Sequence, residues 1–279
     1  MAMQHFTDMD LAWFEKNGSA ALPSEGTQGY VANQGARLWY AYFGTGPAVI
    51  LLHGGLGHSG NWGYQVPALT AQGNRVVLID SRGHGRSTRD SQPYSYQLMS
   101  TDVIAVMNEL HLDTAAFDGW SDGACVALVL AHDTPARARG VFYFGCNMDP
   151  SGAKPFDQTN PVIGRCFRRH LEDYAQLSAT PDQFSNLVED VGLMQRTQPN
   201  YSATELAFIS VPVTVAQSEF DEFIRREHAE YLAQTIPDGK FVLLPGVSHF
   251  APLQDPQLFN ATILEFLNAL STRDGQTGL

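Results

Sequence analysis

The sequence Gly119-Trp120-Ser121-Asp122-Gly123 has the pattern G-x-S-x-G and lies between an apolar run at 115–117 and a helix-like run at 124–132. Between a strand and a helix, this pattern strains the serine backbone and raises its hydroxyl above the edge of the sheet. Adjacent segments of the same chain leave no room for a side chain two residues before and two residues after the serine. Glycine occupies both positions here. The amides that open the following helix favour an anion formed on a reacting carbonyl. Ser121 is therefore a candidate nucleophile.

Outward from this stretch, strand-like and helix-like segments alternate along most of the chain. The continuous apolar run at 48–52 is typical of a strand buried on both faces of a sheet. Such alternation predicts a mostly parallel central sheet flanked by helices on both faces. The predicted strands are 37–43, 48–52, 75–79, 114–118, 141–144, 212–216 and 240–244, and the predicted helices are 64–72, 96–110, 121–132, 227–235 and 256–270.

The alternation stops between residues 147 and 197. Prolines interrupt this stretch, and two helical segments, 161–178 and 181–197, follow one another without a strand between them. We expect this insertion to form a small helical cap over the carboxyl edge of the sheet. The predicted organisation is an N-terminal extension at 1–29, a core at 30–146 and 198–279, and the cap at 147–197.

A nucleophilic serine needs a base and an acid, and candidates for both follow later predicted strands. Glu219 and Asp221 come after the strand at 212–216, and His249 comes after the strand at 240–244. They are therefore expected at the edge of the sheet that carries Ser121, in the chain order nucleophile, acid, base. A buried carboxylate on one imidazole nitrogen fixes the tautomer, so that the other nitrogen can accept the serine proton.

The loop 53–57 follows the strand at 48–52, and its glycines allow backbone amides to point inward. The predicted oxyanion hole consists of the amides of Gly55 and Asp122, with Leu56 as the alternative to Gly55. His53 is expected to anchor this loop by hydrogen bonding. The candidate substrate-binding residues are Asp122, Trp120, Leu56 and Phe250.

Together these motifs resemble those of the α/β-hydrolases over roughly residues 30–270. The run 79–87 (Ile-Asp-Ser-Arg-Gly-His-Gly-Arg-Ser) resembles a structural loop of that family, which implies that Asp80 and His84 are not catalytic. The family pattern favours Asp221 over Glu219 as the acid. Relatives that act as epoxide hydrolases or haloalkane dehalogenases need a carboxylate at position 121, so Ser121 disfavours both activities.

Within the family, Gly-Trp-Ser-Asp-Gly resembles the elbow of the biphenyl-hydrolase-like group, which includes valacyclovir hydrolase. The resemblance implies that Asp122 holds a substrate α-amino group, whereas its simpler interpretation is an acid that stabilises the start of a helix. The chain departs from that group in having Ala124 where a glycine is usual, and in its cap.

The function predicted from these residues is that of a serine hydrolase without a cofactor, a carboxylesterase for small esters that works through an acyl-enzyme. Lactonase, amidase, carbon–carbon bond hydrolase and perhydrolase activities use the same machinery and stay open as alternatives. A small-molecule receptor with a vestigial site is another.

A dinucleotide site is a competing interpretation of the residues after the second predicted strand. The stretch 55–60 satisfies G-x-G-x-x-G, and Asp80 lies at the end of the next strand, where a ribose-binding acid belongs. This alternative is disfavoured because it leaves Ser121, Asp221 and His249 unexplained.

Composition narrows the class of protein further. The formal net charge of the 279 residues is −12, which disfavours nucleic acid as a partner. Three cysteines without paired spacing (Cys125, Cys146 and Cys166) indicate buried reduced thiols, and no metal-ligand spacing or apolar stretch of membrane-spanning length is visible. Met1 to Phe14 show no signal peptide, so a cytoplasmic location is expected. The oligomeric state is not predicted.

Overall fold

A computed structural model describes residues 11–277, with side chains described through residue 273. One eight-stranded sheet forms the centre, in the order β1-β2-β4-β3-β5-β6-β7-β8. The strands β1 and β2 pair antiparallel, as do β2 and β4, and every other pairing is parallel. The strands are β1 (Thr27–Asn33), β2 (Ala36–Phe43), β3 (Ala48–Leu52), β4 (Arg75–Ile79), β5 (Ala115–Trp120), β6 (Ala138–Phe144), β7 (Val213–Phe220) and β8 (Gly239–Ser248).

Helices cover both faces of this sheet, which confirms the predicted fold class. One apolar cluster lies under α3, α4 and α8 and the other under α2 and α10, because successive strand side chains such as Ala116 and Phe117 point to opposite faces. The helices are α1 (Ala12–Asn17), α2 (Gln65–Ala71), α3 (Tyr96–Glu109), α4 (Asp122–Asp133), α5 (Pro161–Leu177), α6 (Phe184–Thr197), α7 (Ala203–Ala207), α8 (Arg226–Thr235), α9 (Ala251–Gln254) and α10 (Pro256–Thr277).

Two strands extend further than their apolar runs predict. Pairing between β7 and β8 continues past the apolar residues to Ser218–Leu244 and, after a register shift, to Phe220–Ser248. Glu219 and Ser248 therefore lie within strands and not in the loops after them. Backbone hydrogen bonds between strands need no apolar side chains. The polar ends of these strands therefore lack the apolar pattern by which a strand is predicted from the sequence.

The segment 147–197 contains α5 and α6, and both helices contribute to the apolar clusters. Val162 and Cys166 of α5 join the cluster that includes α10, and Met194 of α6 joins the cluster under α3 and α4. The two ends of the segment meet, since the amide of Tyr201 donates to the carbonyl of Met148 at 2.8 Å.

At the N-terminus, β1 begins at Thr27, within the extension expected at 1–29. Leu11 and Phe14 are buried against the core, and Glu15 accepts a hydrogen bond from Arg165 of α5 at 2.6 Å. Residues 1–10 of the extension, on which the signal-peptide expectation rests, lie outside the described residues. Within the described part of the chain, none of the helices combines the length and the apolar character needed to span a membrane.

Candidate functional site

The turn between β5 and α4 holds Ser121 in a left-handed backbone conformation, with φ of 55°. The Ser121 amide donates to the carbonyl of Phe144 at 2.8 Å, which ties the turn to the end of β6. A Cβ on Gly119 would collide with the backbone of Ala124, and one on Gly123 would collide with the carbonyl of Leu52. Glycine is therefore required at both positions, as the pattern G-x-S-x-G predicts.

His249 and Asp221 meet at the carboxyl ends of β8 and β7. The Nδ1 atom of His249 lies 2.9 Å from Oδ2 of Asp221, and both residues are buried. The other carboxylate oxygen of Asp221 accepts the amides of Phe223 and Ile224, each at 2.8 Å. These two amides fix the carboxylate, which in turn orients the imidazole.

The pKa of His249 is raised above its ordinary value. Burial, the largest single effect, lowers the pKa, but the charge and hydrogen bond of Asp221 together with the charges of Glu222 and Asp122 outweigh it. The backbone amide of His249 also donates to Oε2 of Glu222 at 3.0 Å. Burial raises the pKa of Glu222 to about 7, so a second acid that titrates near neutrality lies beside this histidine.

Glu219, the alternative acid, lies away from His249. Its side chain is exposed and accepts the amide of Gly246 at 2.9 Å. The structure therefore brings Asp221, and not Glu219, to the imidazole.

Ser121 and His249 lie around the same end of β6. The ring of Phe144, whose carbonyl accepts the Ser121 amide, stacks on the imidazole with 6.3 Å between centroids. Among residues 11–277 no hydrogen bond joins the Ser121 hydroxyl to His249. In unliganded enzymes, catalytic hydrogen bonds are often long and tighten only with substrate.

The loop after β3 lies against the turn that carries Ser121. A Cβ on Gly54 would lie 3.1 Å from Cβ of Ser121. His53 anchors the loop, with Nδ1 2.8 Å from the carbonyl of Gly54 and Nε2 accepting the amide of Ser81 at 3.0 Å. Burial lowers the pKa of His53 to about 4, so its imidazole is neutral and serves as a fixed support.

Asp122 follows Ser121, and its carboxyl group is nearly buried. Tyr96 of α3 donates its hydroxyl to Oδ1 at 2.8 Å, and Gln195 of α6 donates its amide to Oδ2 at 3.0 Å. A Cβ on Gly55 would collide with Oδ2 of Asp122, so the carboxyl group lies directly over Gly55. Burial raises the pKa of Asp122. As the first residue of α4, Asp122 also has a backbone amide without an intrahelical acceptor.

The other three candidate substrate-binding residues lie at different depths. Leu56 is half-buried and has φ of 64°, which turns the loop after β3. Trp120 and Phe250 are buried, with 5.8 Å between their ring centroids, and each ring also contacts His249. Their rings support the imidazole from the side of the apolar core.

The carboxylate of Asp80 is occupied within the protein. Its oxygens accept the amides of Ser59 and Arg86, each at 2.8 Å, and the residue is fully buried. It fastens two loops together, so it does not offer a free acid to a ribose, in line with the disfavoured dinucleotide interpretation. Among the described residues, no three His, Cys, Asp or Glu side chains form a group that could hold a metal ion.

Sequence reasoning missed Tyr96, Gln195 and Glu222 as neighbours of the site. Tyr96 and Gln195 lie 26 and 73 residues from Asp122 on helices, and strand order does not fix where a helix side chain points. Glu222 carried a signal, since it directly follows Asp221 in the acidic stretch after β7.

Comparisons with known proteins agree with this architecture. The model of the alpha/beta hydrolase fold family matches residues 47–190. Bifunctional epoxide hydrolase 2 of Sus scrofa is 34% identical over 148 residues, which are 50% of this chain and 27% of that protein. The chain thus spans under a third of that relative's length.

Two further relatives align along most of the chain. Serine hydrolase BPHL of Mus musculus is 26% identical over 253 residues, 86% of this chain and 86% of that protein. A solved structure described as Est816, an N-acyl homoserine lactone degrading enzyme, has a TM-score of 0.68 at 25% identity and covers 85% of this chain and 100% of that chain.

Proposed function

The chain belongs to the alpha/beta hydrolase fold family, and we propose that it is a serine hydrolase that cleaves small carboxylic esters through an acyl-enzyme. The observation that carries the proposal is the contact of 2.9 Å between His249 and Asp221, made at the sheet edge where the strained Ser121 lies. A serine, a buried imidazole and a buried carboxylate so arranged suit nucleophilic attack on a carbonyl carbon.

In the proposed mechanism the hydroxyl of Ser121 attacks the ester carbonyl while Nε2 of His249 takes its proton. Asp221 holds the proton on Nδ1 and stabilises the imidazolium that forms. The amides of Gly55 and Asp122 stabilise the negative charge on the carbonyl oxygen. The imidazolium then protonates the leaving alcohol, and water, activated by the same imidazole, releases the acid from Ser121.

The position of Asp122 supports a preference for esters with an α-amino group. Its carboxyl group lies over Gly55, beside the place proposed for the reacting carbonyl, and its two side-chain partners, Tyr96 and Gln195, are neutral. A substrate ammonium would supply the missing positive charge and stabilise the ionised carboxylate. We therefore include α-amino esters in the proposed substrate class.

Lactone hydrolysis is the second candidate. A lactone is a cyclic ester, and the same attack by Ser121 opens its ring. The similarity to Est816, whose description names lactone degradation, favours this candidate at 25% identity. Epoxide hydrolysis is not proposed, although an epoxide hydrolase is among the relatives, because the chain has a serine at position 121 where that chemistry needs a carboxylate.

We also propose that residues 147–197 act as a cap that shapes the substrate site. Gln195 of α6 reaches Asp122, and His58 of the loop after β3 contacts Asp173 of α5 at 3.2 Å. His170 of α5 approaches Phe250, with 6.5 Å between ring centroids. Both helices of the segment thus contact residues around the site.

The proposal is tested with a panel of aryl and alkyl esters and lactones and with a fluorophosphonate probe. The unmodified protein should hydrolyse short-chain esters and become labelled on Ser121. Ser121→Ala and His249→Ala should lose roughly 10⁴–10⁶-fold in turnover while the melting temperature stays nearly unchanged. Near-normal turnover in either variant, or labelling at another serine, would contradict the mechanism. His132→Ala, in the last turn of α4, is the control for loss of a histidine outside the site.

A further inference from the structure

Two thiols lie in close contact beneath the proposed catalytic residues. The Sγ atoms of Cys125 and Cys146 are 2.8 Å apart, about 0.8 Å more than a covalent S–S bond of ~2.05 Å. Both thiols are free and buried. Cys125 also donates to the carbonyl of Asn147 at 3.2 Å, which directs its sulfur toward the segment that contains Cys146.

Each cysteine belongs to a segment that holds part of the site. Cys125 lies one turn after Ser121 in α4, and its amide donates to the Ser121 carbonyl at 3.3 Å. Cys146 follows Gly145, where a Cβ would lie 3.1 Å from Nδ1 of His249 and 3.2 Å from Oδ2 of Asp221. A bond between the two sulfurs would therefore link the start of α4, which follows Ser121, to the segment after β6, which lies against His249 and Asp221.

We propose that Cys125 and Cys146 form a reversible oxidation site, in which hydrogen peroxide converts the two thiols into a disulfide and thereby lowers hydrolytic turnover. The effect on turnover rests on the proposed function, whereas formation of the disulfide does not. The sulfurs must approach by about 0.8 Å, and displacements of this size beneath a catalytic group can cost up to about 100-fold in rate.

The chemistry proceeds in two balanced steps. Cys146 is 6% exposed and Cys125 is fully buried, so peroxide reaches Cys146 first. The Cys146 thiol loses its proton, the thiolate attacks one peroxide oxygen, and the O–O bond breaks to leave a sulfenic acid and hydroxide, which takes up that proton as water. The Cys125 thiol then loses its proton, its thiolate attacks the sulfenic sulfur as the S–O bond breaks, and the hydroxide that leaves takes up that proton as the second water. Overall, two thiols and one peroxide give one disulfide and two waters.

The surroundings predict a slow first step and a fast second step. Cys146 is only 6% exposed, so peroxide rarely reaches its sulfur and the first step is slow. Once Cys146 is a sulfenic acid, the second sulfur is already in contact, and this proximity replaces a bimolecular encounter. Cys166 is also buried but belongs to α5 and joins the opposite apolar cluster, so it serves as the matched control.

The test treats the folded protein with hydrogen peroxide, blocks the remaining thiols and maps the peptides by mass spectrometry. We expect a peptide that joins residues 125 and 146, a mass lower by two hydrogens, and recovery of both thiols with dithiothreitol. The melting temperature should rise by roughly 3–6 °C, since the bond closes a loop in the unfolded chain. Cys166→Ala should behave in the same way. Loss of thiols without this joined peptide, or thiols that stay reduced, would overturn the proposal.

Turnover is measured on the same samples with the best ester of the panel. Oxidation should lower it at least tenfold in the unmodified protein and in Cys166→Ala, and dithiothreitol should restore it. Cys125→Ala and Cys146→Ala should keep their turnover under the same treatment. An equal loss in those two variants, or a disulfide without any loss, would overturn the link to activity. If no ester is turned over at all, the proposed function fails, while the joined peptide still decides whether the oxidation site exists.

Discussion

Asp221 and Asp122 lie on either side of Ser121 and differ in what surrounds them. Both carboxyl groups are nearly buried, 2% and 6% exposed. Asp221 contacts an ionisable imidazole and two backbone amides, whereas Asp122 contacts a phenol and a side-chain amide. The first carboxylate has a partner that can carry a positive charge and the second has none.

This difference assigns the two acids different chemistry. In the proposed mechanism, a cation that forms during reaction, the imidazolium of His249, stabilises the charge on Asp221. Asp122 makes no direct contact with a cation among the described residues: His249 acts on it only from a distance, and burial, the largest effect, raises the pKa of Asp122. Under the proposed function, Asp221 therefore acts in every turnover, whereas the carboxyl group of Asp122 acts only on a substrate that brings a cation.

The largest expected effect comes from removing the charge of Asp221. Asp221→Asn should lower turnover of neutral esters by about 10³–10⁴-fold, because an amide stabilises the wrong imidazole tautomer. Glu219→Gln, two residues earlier near the end of β7, is the matched control and should stay within twofold of the unmodified protein. Steady-state kinetics on one neutral ester measures both. A larger loss in Glu219→Gln would transfer the role of acid to Glu219.

The second test concerns Asp122 and substrates that differ only in an α-amino group. The α-amino ester should exceed its des-amino counterpart by tenfold or more in kcat/KM, because an ion pair shielded from water is worth more than a neutral hydrogen bond. Asp122→Asn should remove that advantage and spare the neutral ester. Equal rates for the two esters in the unmodified protein would leave Asp122 as a helix-start residue only.

A third buried carboxyl group, that of Asp118 in β5, has even fewer partners than those of Asp221 and Asp122. Neither of its oxygens has a hydrogen-bond partner among the described residues, and burial raises its pKa well above the ordinary value. The stability that the protonated acid contributes is present below about pH 4 and is lost as pH rises through the folded pKa. Asp118→Asn should therefore raise the melting temperature by roughly 2–5 °C at pH 8.

At pH 4 the Asp118→Asn substitution should change the melting temperature little, because the acid is then protonated in the folded state and already about half protonated in the unfolded state. Thermal unfolding at the two pH values measures the difference. A shift of equal size at both would show that Asp118 has no raised pKa.

The smallest expected effect concerns Glu222. When ionised, this acid raises the pKa of His249, so Glu222→Gln should move the acid limb of the pH–rate profile to lower pH by less than about one unit. The amide oxygen of glutamine can still accept the His249 amide, so turnover at the pH optimum should change little. An upward shift of the limb would contradict the expected sign.

Much of the sheet and part of the site could be predicted from the sequence. Asp221 and His249 both follow apolar runs, and parallel strands bring such positions to one edge regardless of how far apart they are in the chain. The bonds of Asp122 to Tyr96 and Gln195 were not predictable in this way, because they depend on how helices are rotated and on where the segment 147–197 folds back.

The contact between Cys125 and Cys146 illustrates the same limit. Their separation of 21 residues matches no helix or strand repeat that would bring two side chains together, and the sequence predicted only buried reduced thiols. They meet because α4 begins beside the end of β6, a fact of sheet order and not of local pattern.

The bond between Met148 and Tyr201 has a consequence for how this chain can be altered. It closes the base of the segment that carries α5 and α6, so the 52 residues between Met148 and Tyr201 leave and re-enter the rest of the chain at two adjacent points. Lengthening a closed loop costs little, since each doubling adds only about 0.6 kcal/mol of entropy. A foreign insert with an apolar underside could be joined here while the contact between His249 and Asp221 stays intact. If the segment is the proposed cap, this base is the point at which one substrate range can be exchanged for another.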